Sequence, residues 1–334
     1  MNRLMPLLGL LMGLGAPDFT QAAPLSKIVV SIEEFGAHHP NHLLPVLVAL
    51  DKGWFQAEGI TDVVWKDVGS DANTVKGLID GSIHFGTDPQ PDVVLAANAT
   101  GKEVYIIGGV RTKYSYEFVA IPGITGPDGL KRKLVAASRA GSSSDRRTRL
   151  ILEKIGLVPD KDVKIVYKGG SDRRIASLLK GEVHAAVINE EEVEKYKKQI
   201  EHHPRVVDVV KIWPDYQARV IATSGQMLRD HPETVKAFLK VMIKTFQFIR
   251  ANTKDVEYFS GLIEKAAGKP PEEQLADFSY LAGRLPDDGG INLKGLQVVI
   301  EEEKVLGNLP QDYAMERAIR LNLVKEAAAE LNRR

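Results

Sequence analysis

Between Lys27 and Ile188 the chain alternates short β-branched runs with amphipathic helical stretches, and it uses one unit twice. Residues 73–84 read NTVKGLIDGSIH and residues 174–184 read RIASLLKGEVH: a helix, a glycine turn, then the start of a short strand, with a histidine at its beginning. Such alternation demands a parallel or mixed sheet with helices on both faces. The first copy is framed by strands at 27–32, 63–68, 83–86 and 104–108, with helices over 42–52, from Ser70 or Asp71 to Leu78, and over 91–98. Gly53, Gly81 and Gly101 stand where helices would end, and Pro91 stands at a first helical position. The pattern restarts with strands at 117–121, 133–137, 163–167 and 184–188 and helices over 142–155 and 172–180. From Pro232 onward the chain reads as helical. The fold class is α/β, with two lobes and a helical tail.

A chain of 334 residues fits about two domains. Lys plus Arg and Asp plus Glu balance at 44 each, so no basic excess points to a nucleic acid or an anionic surface. The densest basic spots are Lys131–Lys133 and the trio Arg146, Arg147 and Arg149; with Asp145, that trio reads as a solvated helix face. There is no cysteine, which excludes disulfides, thiolate metal sites, a cysteine nucleophile and a lipid-anchored cysteine. No G-x-G-x-x-G loop, P-loop or nucleophile–base pair marks a cofactor or a reaction. No cofactor and no enzymatic role are therefore expected.

Residues 1–22 differ from the rest. Arg3 precedes an apolar run over 4–14, and small residues follow around 20–23. This is the pattern of a cleaved signal peptide, the run being short of the roughly 20 residues a membrane span needs. The expectation is an exported, soluble, periplasmic protein.

The order of these pieces resembles the solute-binding proteins of ABC importers, in the branch for taurine, aliphatic sulfonates, nitrate and the thiamine pyrimidine. The stretches that carry the resemblance are 45–60 (PVLVALDKGWFQAEGI), 75–85, 127–133 (PDGLKRK), 178–187 and 231–238 (HPETVKAF). They keep the family's order along nearly the whole chain after the signal segment. The resemblance implies a type-II periplasmic-binding-protein fold, two α/β lobes with a hinge and a ligand cleft. It divides the chain into 1–22 (signal peptide), 24–112 (first lobe), 113–212 (second lobe) and 213–334 (completion of the first lobe and C-terminal helices). Hinge crossings would fall at 111–117 and 212–222. It further implies a monomer that takes a small organic ligand to the membrane subunits of an ABC permease. His84 and His184 depart from the family, which often has Asp there; a local packing role is expected for both. A same-fold enzyme of pyrimidine or aromatic-acid metabolism, and a ligand-sensing module for a receptor, are the rival readings.

Open α/β sheets bind ligands beyond the strand C-termini, which selects the candidate contacts. Glu33 and Phe35 follow the first strand and could grip an amino or heterocyclic group, or form a solvated acidic loop. His38 could donate a hydrogen bond; with His39, His42 and the intervening Pro40 it makes a poor metal frame, and no metal is expected. Ser70, Asp71, Asp88 and Gln90 lie at helix N-termini, where capping and ligand contact compete for the same side chains. Arg139, Ser142 and Ser143 offer a second such terminus from the other lobe. Asn189 and Glu190 follow a buried strand. Trp213, with Tyr216, could form an aromatic wall or simply pack between lobes.

Overall fold

Two five-stranded sheets organise the computed structural model, which describes residues 23–32, 42–113, 116–268 and 278–333. The expected signal segment and the loop bearing Glu33, Phe35 and His38 lie outside the described residues. The first stretch contains β1 (Lys27–Ile32), α1 (Leu44–Asp51), α2 (Trp54–Ala57), β2 (Asp62–Asp67), α3 (Asp71–Asp80), β3 (Phe85–Gly86), α4 (Pro91–Ala99) and β4 (Val104–Arg111). The middle contains β5 (Tyr116–Ala120), β6 (Leu134–Ala137), α5 (Ser143–Lys154), β7 (Lys164–Tyr167), α6 (Ser171–Leu179), β8 (Ala185–Asn189), α7 (Glu190–Lys195), β9 (Arg205–Val207) and α8 (Val209–Ile212). The remainder contains β10 (Arg219–Ser224), α9 (Gly225–Asp230), α10 (Pro232–Ala251), α11 (Val256–Ala267), α12 (Ser279–Ala282), α13 (Leu293–Val305) and α14 (Asn322–Leu331).

The sheet orders are β2-β1-β3-β10-β4 and β7-β6-β8-β5-β9. In each, three parallel strands are followed by one antiparallel strand that arrives from the other lobe: β10 beside β3, and β5 beside β8. The chain thus crosses twice, between Arg111 and Tyr116 and between Val207 and Arg219.

The duplicated unit folds alike in both lobes. Gly81 and Gly181 close α3 and α6 at φ +78° and +69°, a left-handed turn that glycine adopts without a Cβ penalty. One apolar core joins sheet 1 to the tail: Phe238 of α10 stacks on Phe85 with ring centroids 4.0 Å apart, among Val30, Val48 and Phe259. A second core contains Ile106 and Val220, Trp213 and Tyr216 of the crossing, Leu296 of α13, and Phe118 and Val187 of sheet 2. It binds the lobes along the hinge. The outer face of sheet 2 is covered by Ile175, Leu178 and Val193. Among the described residues no helix is long and apolar enough to cross a membrane.

Candidate functional site

On the first lobe the polar side chains gather where β3 ends and α3 and α4 begin, the position beyond strand C-termini where open α/β sheets bind ligands. Ser70 takes an extended backbone and accepts the Asn73 N–H, so it is the cap of α3. Asp71, one residue on, turns inward. Its Oδ1 accepts hydrogen bonds from the Gln90 main-chain N–H at 3.0 Å and from the Arg219 guanidinium at 3.2 Å, while Oδ2 accepts from the Gln90 amide at 3.2 Å. Asp88 is buried, with one carboxylate oxygen 3.5 Å from His42 Nε2 and 3.6 Å from an Arg111 guanidinium nitrogen. Its carbonyl accepts from Arg219 at 3.0 Å. Burial works against the Arg219 charge, yet the facing Asp71 and Asp88 outweigh it and hold its pKa above the ordinary value. Asp71, Asp88 and Gln90 therefore meet in one cluster, and sequence reasoning missed the arginines that organise it. Both lie on strands beside a crossing, a placement no local pattern encodes.

On the second lobe the serines after β6 satisfy one another. Ser144 Oγ accepts the Ser138 N–H, Ser138 and Ser142 hydroxyls lie 2.7 Å apart, and Ser142 caps α5 by accepting the Asp145 N–H. Ser143 opens α5. Arg139 is exposed at the rim. Asp145 is buried and accepts the Gly141 N–H at 2.8 Å, tying down the loop before the helix. The reading of Asp145 and the arginines as a solvated face is corrected here: Arg147 is buried, and Arg146 reaches Asp92 of the first lobe at 2.6 Å. A charged helix face is dry when another lobe packs on it.

Asn189 ends β8 buried, its N–H bonded to Ser171 Oγ at 3.2 Å. Behind it Arg174, also buried, donates to the carbonyls of Val187 and Gly169 and to Ser171. Tyr116, the first residue of β5, has its ring 5.7 Å from the Arg147 guanidinium. Glu190 pairs with Arg284, whose carbonyl accepts the Thr112 N–H at the first crossing. Trp213 is packed in the core along the hinge, the second of its two expected roles. Tyr216 accepts from Arg147 and donates to Glu302 at 3.3 Å. Gln217, wholly buried, donates to the carbonyls of Arg111 and Arg219 at 3.1 and 2.6 Å and accepts the Asn292 N–H at 2.7 Å. One amide thus staples both crossings to the start of α13. Among the described residues no three His, Asp or Glu side chains form a group that could hold a metal ion.

Two lobes of this topology, joined by two crossings around a polar cleft, define the periplasmic-binding-protein fold. The aliphatic sulphonate-binding protein SsuA of Escherichia coli is 17% identical, with a TM-score of 0.70 over 89% of this chain and 92% of that one. The nitrate-binding protein NrtA of Synechocystis PCC 6803 is 16% identical, with a TM-score of 0.67 over 93% of this chain and 90% of that one. A DszB variant in complex with biphenyl-2-sulfinic acid is 14% identical, with a TM-score of 0.63 over 93% of this chain and 100% of that one. A search of the curated proteins gives no match. The model of the NMT1/THI5-like family matches residues 39–255, and the chain belongs to that family.

Proposed function

We propose that this protein is an exported solute-binding protein that captures a small polar organic ligand between its lobes and delivers it to an ABC permease. The observation that carries the reading is the Arg219–Asp71–Asp88 cluster where β3 ends and α3 and α4 begin. Both signs of charge are held there by part-buried hydrogen bonds, the arrangement that orients a polar ligand. Ligand contacts on both lobes would stabilise the closed form, since a ligand shifts a hinge equilibrium only by its differential affinity. SsuA and NrtA, which share the fold, support the reading and suggest the first ligands to try.

The test is a thermal-shift screen of the purified protein against alkanesulfonates, nitrate, aromatic acids and aminopyrimidines, followed by calorimetry on any hit. A ligand at about 100 times its Kd should stabilise by about 2.7 kcal/mol, and Arg219→Met should abolish the shift while the fold survives. No stabilisation by any class, together with turnover of one of them, would replace the reading with the enzymatic one.

A further inference from the structure

Away from the Arg219–Asp71–Asp88 cluster, a second charged cluster bridges the lobes. Arg146 and Arg147, adjacent on α5, reach from the second lobe to carboxylates on two helices of the first. Arg146 donates to Asp92 near the start of α4 at 2.6 Å and lies 3.7 Å from Glu303 of α13. Arg147 lies 3.7 Å from Glu302 of α13 and donates to the Tyr216 hydroxyl, which donates onward to Glu302. Asn308 donates to Glu303, and the Tyr116 ring lies under the Arg147 guanidinium at 5.7 Å. Among the described residues, the charged and titratable groups that face one another here are three carboxylates, two guanidiniums and two phenols.

The count does not balance. Asp92 and Glu303 are buried, and Asp92 Oδ1 and Glu302 Oε1 have no hydrogen-bond partner among the described residues. Bringing α5 onto α4 and α13 with all three carboxylates ionised leaves one uncompensated negative charge out of water, at a cost that a single proton removes. We propose that this cluster is a proton-linked latch: closure of the lobes draws one proton onto the Glu302–Glu303 pair, against which Asp92 packs, so acidification favours the closed state. Burial and mutual repulsion raise the pKa values of Glu302 and Glu303, in the direction this requires. The sign follows. A carboxyl whose pKa is higher closed than open binds its proton more tightly in the closed form, so closure strengthens as pH falls. Because Arg146 also donates to the Gly141 carbonyl in the cleft loop that precedes α5, the latch and the cleft move as one body.

The inference rests on the hinge-closing reading above, but its test needs no ligand. The chain has no cysteine, so Lys76→Cys on α3 and Ala176→Cys on α6, both exposed, give one clean spin label per lobe. Electron–electron double resonance then reads the interlobe distance from about pH 5 to about pH 8, the range that spans a raised carboxylate. Circular dichroism at each pH separates opening from unfolding. The expected result is a short-distance population that gives way to a longer one as pH rises, by up to about tenfold per pH unit for one proton. Glu303→Gln and Asp92→Asn should flatten that slope. Two populations whose ratio ignores pH, or the same slope in both variants, would overturn the latch and leave the binding reading standing. A single distance at every pH would also overturn the latch, while the binding reading stands or falls separately by the ligand screen.

Discussion

His84 and His184 stand one hundred residues apart and do the same thing: each imidazole Nδ1 accepts a main-chain N–H from the neighbouring strand's edge, Val29 at 2.9 Å and Leu134 at 3.2 Å. The main-chain N–H of each histidine in turn donates to the carbonyl of that same residue, both at 2.9 Å. The family resemblance places Asp at these stations. A neutral imidazole serves as acceptor in the same way, provided it carries no proton on Nδ1. Burial lowers the pKa of both, helped at His84 by His231 and at His184 by Lys133.

That sharing of roles predicts a pH dependence of stability. The unfolded histidines titrate near 6.5, and the folded ones below it. Stability is therefore full above 6.5 and falls as pH drops toward the folded values, where the unfolded chain binds more protons. The double variant His84→Asn/His184→Asn puts an amide oxygen near each Nδ1. It should match the parent in urea unfolding at neutral pH and lose part of the decline below 6.5. An unchanged acid limb would show that other groups control it.

Asp88 should be among the most costly side chains to remove. Asp88→Ala leaves Arg111 and His42 facing a vacated carboxylate in a dry site. A loss of about 3–5 kcal/mol is expected in denaturant unfolding, with Asp88→Asn costing less because its shape and one acceptor remain.

Two glycines should respond differently to alanine. At Gly181 an added Cβ meets nothing within 4 Å, so only the left-handed backbone opposes it, at about 1–2 kcal/mol. At Gly295 the same atom would lie 2.3 Å from the Tyr216 carbonyl carbon and 2.6 Å from Gln217 N. There α13 must back away from the crossing, and about 3 kcal/mol is expected, with the Tyr216–Glu302 contact broken. Thermal unfolding of the two variants side by side tests the contrast.

Gln217→Ala removes the amide that joins both crossings to α13. It takes one of two donors from the Arg111 carbonyl, which keeps the Ala218 N–H, removes the amide donor to the Arg219 carbonyl and leaves the Asn292 N–H without its acceptor, a cost of about 1–3 kcal/mol for such polar groups. Hydrogen exchange should quicken at Asn292 and Ala218 more than in the sheet centres. Uniform change across the chain would mean that the residue acts only through global stability.

The strand–helix units were legible because each is local. Hydrophobic period, a capping serine and a closing glycine fix them within a dozen residues, as at Ser70 to Gly81 and Ser142 to Gly156. Asp71, Asp88, Gln90 and Asn189 could be located because they follow strand ends. Their partners could not, because Arg219 and Arg111 come from the crossings. Arg146 and Arg147 misled for the same reason: their carboxylates lie on α4 and α13, far off in sequence on either side. Charge runs carry no mark of what will be packed against them. Ser142, expected to meet ligand or cap a helix, is already occupied by the cap and by Ser138.

The exchange of one strand between sheets has a consequence for how such a chain is made. β10 belongs between β3 and β4, yet it is synthesised only after the whole second lobe. Until then the nascent first sheet has a gap in its middle, with the edges of β3 and β4 open to any strand that drifts near. The N-terminal portion cannot finish folding by itself, so a truncated product ending before Arg219 should stay adhesive and unfinished. Completion comes late, and all at once.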